Sequence, residues 1–337
     1  MRVVSLNEAF GLENLRLGTR PDPSCGPREV IVRVHAVSLN ARDVMMARGS
    51  YNPRQPLPLI PCSDAAGVVV ERGAEVSEWP VGARVCPIFA PLWSDGALTR
   101  RAQRSTLGGP LDGTLCEYFV ADARAVVPAP AQLSFAEAAC LPCASVTAYR
   151  ALVELGQMTA GQWLVCQGTG GVSLAALGLA KALGIQVIVT SRSARKLPLA
   201  NALGADHVID TSQTADWGKA VRALTNGEGA HHVLELGGAQ TIAQSVRALR
   251  IGGTASVIGV LSGALPELDL RPILMQDLRL QGVFVGSRAT FLGLLAVVHE
   301  HGLRPHIDRV FPVSEARAAF EYAASGQQFG KVVLSLD

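Results

Sequence analysis

The run Trp163 to Lys196, WLVCQGTGGVSLAALGLAKALGIQVIVTSRSARK, changes its rhythm twice. WLVCQ is a short apolar run, the glycines of QGTGGVS break it, VSLAALGLAKALG has helical spacing up to Gly184, and QVIVT is β-branched again. A strand that returns to another strand through a helix pairs with it in parallel. The same alternation continues through HVID (His207 to Asp210), HHVLELG (His231 to Gly237) and ASVIGV (Ala255 to Val260). Such a succession predicts a doubly wound parallel sheet with helices on both faces, an α/β domain.

The rest of the chain reads differently. Val30 to Val37 (VIVRVHAV), Gly67 to Glu71 (GVVVE) and Tyr118 to Val120 (YFV) are short Val-rich runs between Pro/Gly turns, the pattern of an antiparallel β module. The polar, Gly-rich segment Leu92 to Gly113 reads as a surface loop. The last run, KVVLSL from Lys331, is expected to return to the first module. At 337 residues, two domains are the default.

A glycine loop between a strand and a helix is chemically informative. Gly168 permits the tight turn, Gly170 lets backbone approach a pyrophosphate, and the N–H groups that open the helix attract its charge. Ser173 stands where a third glycine is usual. Gly168, Thr169, Gly170, Gly171 and Val172 are therefore expected to contact a dinucleotide, the competing reading being a plain turn. Such sites place an acid about 20 residues on, at the end of the second strand, to hold the ribose hydroxyls. Here that strand ends at Ser191, and no Asp or Glu occurs between Glu154 and Asp206. Arg192, Arg195 and Lys196 follow instead. A carboxylate would repel a 2′-phosphate, whereas an arginine binds it through paired charged hydrogen bonds. Ser191, Arg192 and Lys196 thus predict NADP(H), against the alternative that the cations are a solvated helix start.

Composition excludes other classes. Charged residues make up 17% and the formal net charge is +2, with no aromatic-interleaved basic run, so nucleic acid is not the expected partner. The N-terminus MRVVSLNEAF lacks a secretion signal, and Leu164 to Ala180, the nearest thing to a membrane span, is interrupted by Gln167 and glycines. The seven cysteines form no disulfide framework. A cytoplasmic protein with reduced thiols, independent of membranes, is expected. Cys140 and Cys143 make a CxxC, read as two small core residues in a helix-prone stretch rather than as a redox pair.

The segments AVSLNARDV (Ala36 to Val44), PLIPCSDAAGVV (Pro58 to Val69), LPCASVTAYRAL (Leu141 to Leu152), GTGGVS and FGKVVL (Phe329 to Leu334) occur in the order seen in medium-chain dehydrogenases/reductases. The chain resembles most their zinc-independent, quinone-oxidoreductase-like branch, over nearly its whole length. The resemblance implies a GroES-like β-rich catalytic domain (1–125 and 285–337), a Rossmann domain (126–284), a cleft between them, and a homodimer joined through the edge strand at LQGVFVG (Leu280 to Gly286).

Departures from that pattern bear on mechanism. Zinc-dependent members hold their catalytic metal on Cys, His and Cys, and the matching positions are Asn40, Ser63 and Cys143, so no metal is expected. A substitute site from Cys62, Asp64 and Cys143 is conceivable. Without zinc, reducing a quinone or a conjugated C=C–C=O is easier than oxidising an alcohol, because charge spreads from the acceptor carbon to an oxygen that ordinary donors can stabilise. The resemblance further implies that Asn40 and Thr147 line the nicotinamide pocket, with Asp43 orienting its neighbours and Cys143 close by. Tyr149 packs near the ribose, Lys331 reaches the pyrophosphate, and Gly237, Gly259, Val260, Phe284 and Val285 flank the cofactor. A tyrosine present in some quinone-reducing relatives is replaced by Met45. Asn40 can also be read as a turn cap and Asp43 as a helix cap. Two further readings stay open: an alcohol dehydrogenase or aldehyde reductase of the same superfamily, and an NADPH-binding protein with little catalysis.

Overall fold

The structure, a computed structural model, describes residues 1–265 and 267–337. It divides into two compact units, Met1–Val146 with Gly286–Asp337, and Thr147–Val285.

The first unit is built from β1 (Arg2–Leu6), β2 (Leu15–Thr19), β3 (Glu29–Leu39), β4 (Asp64–Arg72), β5 (Arg84–Pro87), β6 (Tyr118–Asp122), β7 (Val126–Pro128), and two late strands, β14 (Ile307–Pro312) and β15 (Lys331–Ser335). Its main sheet runs β14-β15-β3-β4-β5-β7, with β6 also on β3. The expectation that KVVLSL rejoins this module is met: β15 pairs antiparallel with β3, Val332 opposite Leu39. On the other side of β3, Ser38 lies opposite Asp64 at the start of β4. These two registers bring the chain's 39–40, 64 and 331 positions to one end of one sheet.

The first unit extends past the boundary expected at 125/126. β7 pairs with β5, Val85 opposite Pro128, and the helix Phe135–Ala138 packs on β3 and β4. The segment 92–113 is also not simply a surface loop. Trp93, Ala102, Ser105, Thr106 and Leu107 are buried, because the buried Arg42 guanidinium donates to Leu107 O (2.9 Å) and Gly109 O (3.0 Å) and draws the segment inward.

The second unit holds the predicted parallel sheet: β8 (Trp163–Gln167), β9 (Gln186–Ser191), β10 (His207–Asp210), β11 (Ala230–Glu235), β12 (Leu249–Val257) and β13 (Arg279–Gly282). All neighbours pair in parallel, in the order β10-β9-β8-β11-β12-β13. The order reverses between β8 and β11, and ligands of such sheets bind beyond the carboxyl ends of the strands at that point. Val165, Ile188, Val233, Leu249 and Ala255 of the sheet form the middle of its core with Val221 and Val246 from the covering helices. No helix among the described residues is long and apolar enough to cross a membrane.

The helix-prone run 134–152 is helical but irregular. Two stretches, Leu141–Ser145 and Arg150–Leu155, take the wider π turn on either side of Val146–Tyr149. Cys140 and Cys143 are buried free thiols there, in line with core residues.

Candidate functional site

In the first unit, Asn40 directly follows β3 and caps the helix Ala41–Ala47. The Asp43 carboxylate reaches back to accept the Asn40 backbone N–H at 2.8 Å, so Asp43 does serve as a helix cap. Arg42 Nη1 stands 3.4 Å from Asp43, and its guanidinium lies between the rings of Tyr51 and Phe89, 5.2 and 5.0 Å from their centroids. Asp43 is fully buried. Burial pushes its carboxyl up to about 6; Arg42 opposes the shift and Asp64 reinforces it.

Lys331 is the unexpected member. Expected to reach a pyrophosphate, it is instead 4% exposed and committed inside its own unit. Its Nζ donates to Leu39 O (2.8 Å) and to Asn40 Oδ1 (2.6 Å), and lies 3.8 Å from Asp64 Oδ2. Asp64 also accepts from Ser63 Oγ (2.9 Å) and Ser38 Oγ (3.1 Å). The physical reason is the β15–β3 register, which seats Lys331 beside Leu39 and across from a buried carboxylate. The Asn40 Nδ2 is buried and has no hydrogen-bond partner.

The three positions that hold zinc in metal-dependent relatives do not make a zinc donor set. Asn40 presents an amide whose oxygen is taken by Lys331, and the Ser63 hydroxyl is donated to Asp64. Burial, then the charge of Asp64, pushes the Cys143 thiol up. Among the described residues no three His, Cys, Asp or Glu side chains are grouped to hold a metal, the imagined Cys62, Asp64 and Cys143 set included.

In the second unit the predicted cofactor residues gather beyond the carboxyl ends of the strands. Gly168 has φ +72°, the left-handed region that favours glycine. A Cβ at Gly168 or Gly170 would meet no protein atom within 4 Å, so at Gly170 the open space, rather than a packed neighbour, accounts for the small residue. That space lies over the start of the helix Gly171–Ala182, whose Gly170 cap offers no side-chain acceptor to the first-turn N–H groups. These features fit a pyrophosphate. Ser173 is fully buried and donates to Gln167 O at 2.7 Å, clamping helix to strand where a third glycine would allow close packing.

Ser191 ends β9, buried, with its Oγ accepting from Ser193 N–H (3.1 Å). Arg192 is exposed and its guanidinium makes no hydrogen bond or ion pair with the described residues; Lys196 is buried. The structure also supplies a neighbour that linear spacing hides. Asp210, at the end of β10, lies opposite Ser191. Its carboxylate accepts from Ser212 N–H (2.9 Å) and Ser212 Oγ (2.6 Å), and so is engaged by its own turn.

Gly237 follows β11, Gly259 and Val260 follow β12, and Phe284 and Val285 follow β13. Gly237 and Gly259 owe their small size to the protein: a Cβ would stand 2.3 Å from Thr241 Oγ1 and 2.5 Å from Leu236 O. Val285 has φ +42°, a conformation strained for a β-branched residue. Phe284 O accepts from Arg150 Nη1 at 3.2 Å, and Thr147 is buried on the helix Val146–Tyr149.

Two residues here escaped sequence reasoning. Gln167 Oε1 accepts from Leu236 N–H (3.0 Å) and Gly237 N–H (3.1 Å), and its Nε2 donates to Glu235 Oε2 (2.9 Å) and Ser245 Oγ (2.6 Å). Glu235, wholly buried, also accepts from Gly238 N–H (2.8 Å) and from Thr241 and Ser245. Together they tie β8 to β11 where the strand order reverses. A polar residue ending each of two apolar strands was the available signal.

Comparison with known proteins bears on this arrangement. Residues 26–131 match the alcohol dehydrogenase GroES-like domain and residues 171–300 the zinc-binding dehydrogenase family. A zinc-type alcohol dehydrogenase-like protein of Schizosaccharomyces pombe is 39% identical over 100% of this chain and 99% of its own length. Among solved structures, a putative alcohol dehydrogenase from Sinorhizobium meliloti 1021 is 42% identical with a TM-score of 0.94, covering 99% of this chain and 98% of its own. An NAD-dependent alcohol dehydrogenase is 33% identical with a TM-score of 0.92, covering 100% of both chains. More distant are a 2-octenoyl-CoA carboxylase reductase in complex with NADP (27%, 0.88, covering 99% of this chain and 87% of that one) and a quinone oxidoreductase from Coxiella burnetii (26%, 0.81, covering 100% and 99%). With a GroES-like unit, a parallel sheet in Rossmann order and full-length relatives, the chain belongs to the medium-chain dehydrogenase/reductase superfamily and is a nicotinamide-dependent oxidoreductase.

Proposed function

We propose that the protein is a zinc-independent reductase that uses NADPH to reduce a quinone or an α,β-unsaturated carbonyl compound. The observation that carries the reading is the donor set at Asn40, Ser63 and Cys143: an amide whose oxygen is engaged by Lys331, a hydroxyl engaged by Asp64, and a single thiol. Nothing in that set acts as a strong Lewis acid toward an alcohol oxygen. When bound, the nicotinamide supplies the hydride. As the acceptor carbon takes it, an electron pair moves onto the conjugated oxygen, where a positioned N–H stabilises it until solvent provides a proton. Asn40 offers such an N–H. For the cofactor, Arg192 and the absence of an acid at the end of β9 favour a 2′-phosphate.

A second reading, an alcohol dehydrogenase, is favoured by the names of the relatives with higher identity. Steady consumption of NADPH and NADH with a panel of quinones, enals, enones and simple aldehydes separates the two: the proposal expects turnover of the conjugated acceptors, faster with NADPH, while turnover confined to simple aldehydes and alcohols supports the second. We also propose a cytoplasmic homodimer. Seven free cysteines suit a reducing compartment. β13 is an edge strand exposed along its length, with Leu270, Leu274 and Met275 exposed just before it, a surface a second copy would cover. Sedimentation at micromolar concentration checks it, and a monomer refutes it.

A further inference from the structure

Lys331 and the unpartnered amide nitrogen of Asn40 belong to one arrangement. An ammonium has three donors and no acceptor, so the group 2.6 Å from Lys331 Nζ must be the amide oxygen; rotating the amide by half a turn would set N–H against N–H. Leu39 O at 2.8 Å and Asp64 at 3.8 Å hold the ammonium from two other sides, and the β15–β3 register holds its backbone. The amide is thereby locked with Nδ2 turned away, shut from water and without an acceptor. Buried donors are nearly always paired, and one left over at a candidate site marks a place where an acceptor is missing.

We propose that Lys331 is a positioning residue: it locks the Asn40 amide so that Nδ2 can donate only to an arriving carbonyl-type oxygen. This rests on the reductase reading above, in which that oxygen is the one gaining charge on the substrate. The same chemistry could come from the carboxamide oxygen of nicotinamide. Either arrival requires the side chains over Nδ2 to part enough to admit one oxygen. The role differs from pyrophosphate binding, which would have left Lys331 Nζ free of the first unit's carbonyls.

Three variants test it. Asn40→Asp keeps the oxygen that Lys331 holds and replaces only the nitrogen, so the fold should persist. Lys331→Met removes the lock, and Lys331→Arg restores a cation. For wild type and variants, kcat and KM are measured with a quinone or enone the wild type reduces, alongside the Kd for NADPH by fluorescence and the urea midpoint. If the substrate oxygen is the acceptor, Asn40→Asp lowers kcat roughly 100-fold to 1,000-fold with Kd for NADPH unchanged. Lys331→Met should also lower kcat at least about ten-fold, with partial rescue by Lys331→Arg. If the carboxamide is the acceptor, Asn40→Asp and Lys331→Met both raise Kd for NADPH about ten-fold or more and leave kcat at saturating cofactor near wild type. Unaltered kcat and Kd in Asn40→Asp overturn the inference, as does a Lys331→Met protein that loses only urea resistance. A wild type that reduces no conjugated acceptor overturns the reductase reading instead; the NADPH Kd of Asn40→Asp then decides the inference alone, unchanged affinity sinking it.

Discussion

Replacing Arg192 by alanine probes the cofactor assignment at a single atom cluster. Arg192 is exposed just after β9 and its guanidinium has no hydrogen-bond or ion-pair partner among the described residues, so removing it breaks no bond among them. A charge-assisted hydrogen bond to a phosphate contributes about 1.5 to 3 kcal/mol, and exposure puts this one near the lower limit because solvent screens it. The expected loss is therefore about 1.5 to 2 kcal/mol, roughly a ten-fold to thirty-fold rise in Kd for NADPH. NADH, which lacks the 2′-phosphate, should bind the variant as it binds the wild type. Titrating intrinsic fluorescence with each cofactor at low and high salt gives both numbers. Added salt should also narrow the gap between the cofactors in the wild type, since the extra attraction acts at the surface. An equal loss for both cofactors would refute the reasoning, because Arg192 would then be supporting the loop rather than contacting a phosphate. Wild-type preference for NADH would refute it from the other side and direct attention to Asp210, opposite Ser191.

Three further outcomes follow from buried polar groups. Asp43 keeps its proton to about pH 6 in the folded chain but loses it near pH 4 when unfolded, so the native state binds more protons in between and stability falls as pH rises through that window. The loss is about 3 kcal/mol in full and should be absent from Asp43→Asn, as read by urea midpoints from pH 4 to 7; parallel curves for the two proteins would contradict it. His232, bonded through Nε2 to Ser256 Oγ at 2.8 Å, is pushed by burial down to about 4, so its effect has the opposite sign. The unfolded chain takes the proton first, and stability drops by about 3 kcal/mol as pH falls from 6.5 to 4, a slope that His232→Asn should flatten. Glu235→Gln replaces a carboxylate that accepts four hydrogen bonds with an amide that can accept at one end only. It should cost about 3 kcal/mol in denaturant unfolding and weaken both cofactors alike, and an unperturbed midpoint would show that Gln167 and Glu235 do not hold the loop.

What could be read from the sequence was local. WLVCQ, the glycines and QVIVT are contiguous, and their spacing alone specifies strand, turn, helix and parallel strand; the structure has all of these at the expected residues. What could not be read depends on distant pairing. Lys331 meets Asn40 across 291 positions and Gln167 meets Glu235 across 68, each through strand registers that no local pattern encodes. The resemblance led to the pyrophosphate for Lys331 because it carried a role without the neighbours that set it. Segment 92–113 is polar and Gly-rich, and its burial follows from one arginine more than fifty residues earlier. The domain boundary moved for a similar reason, since β7 belongs with β5 by hydrogen bonds and not by composition.

The central claim is that reduction here proceeds without a metal. Its most direct test is one assay: purified protein is stripped with a strong chelator, shown by elemental analysis to contain no zinc, and mixed with NADPH and a simple quinone or enone. The account predicts the same rate before and after stripping, from protein that held no stoichiometric zinc to begin with. One zinc per chain, with activity that disappears on its removal and returns on its restoration, would contradict it.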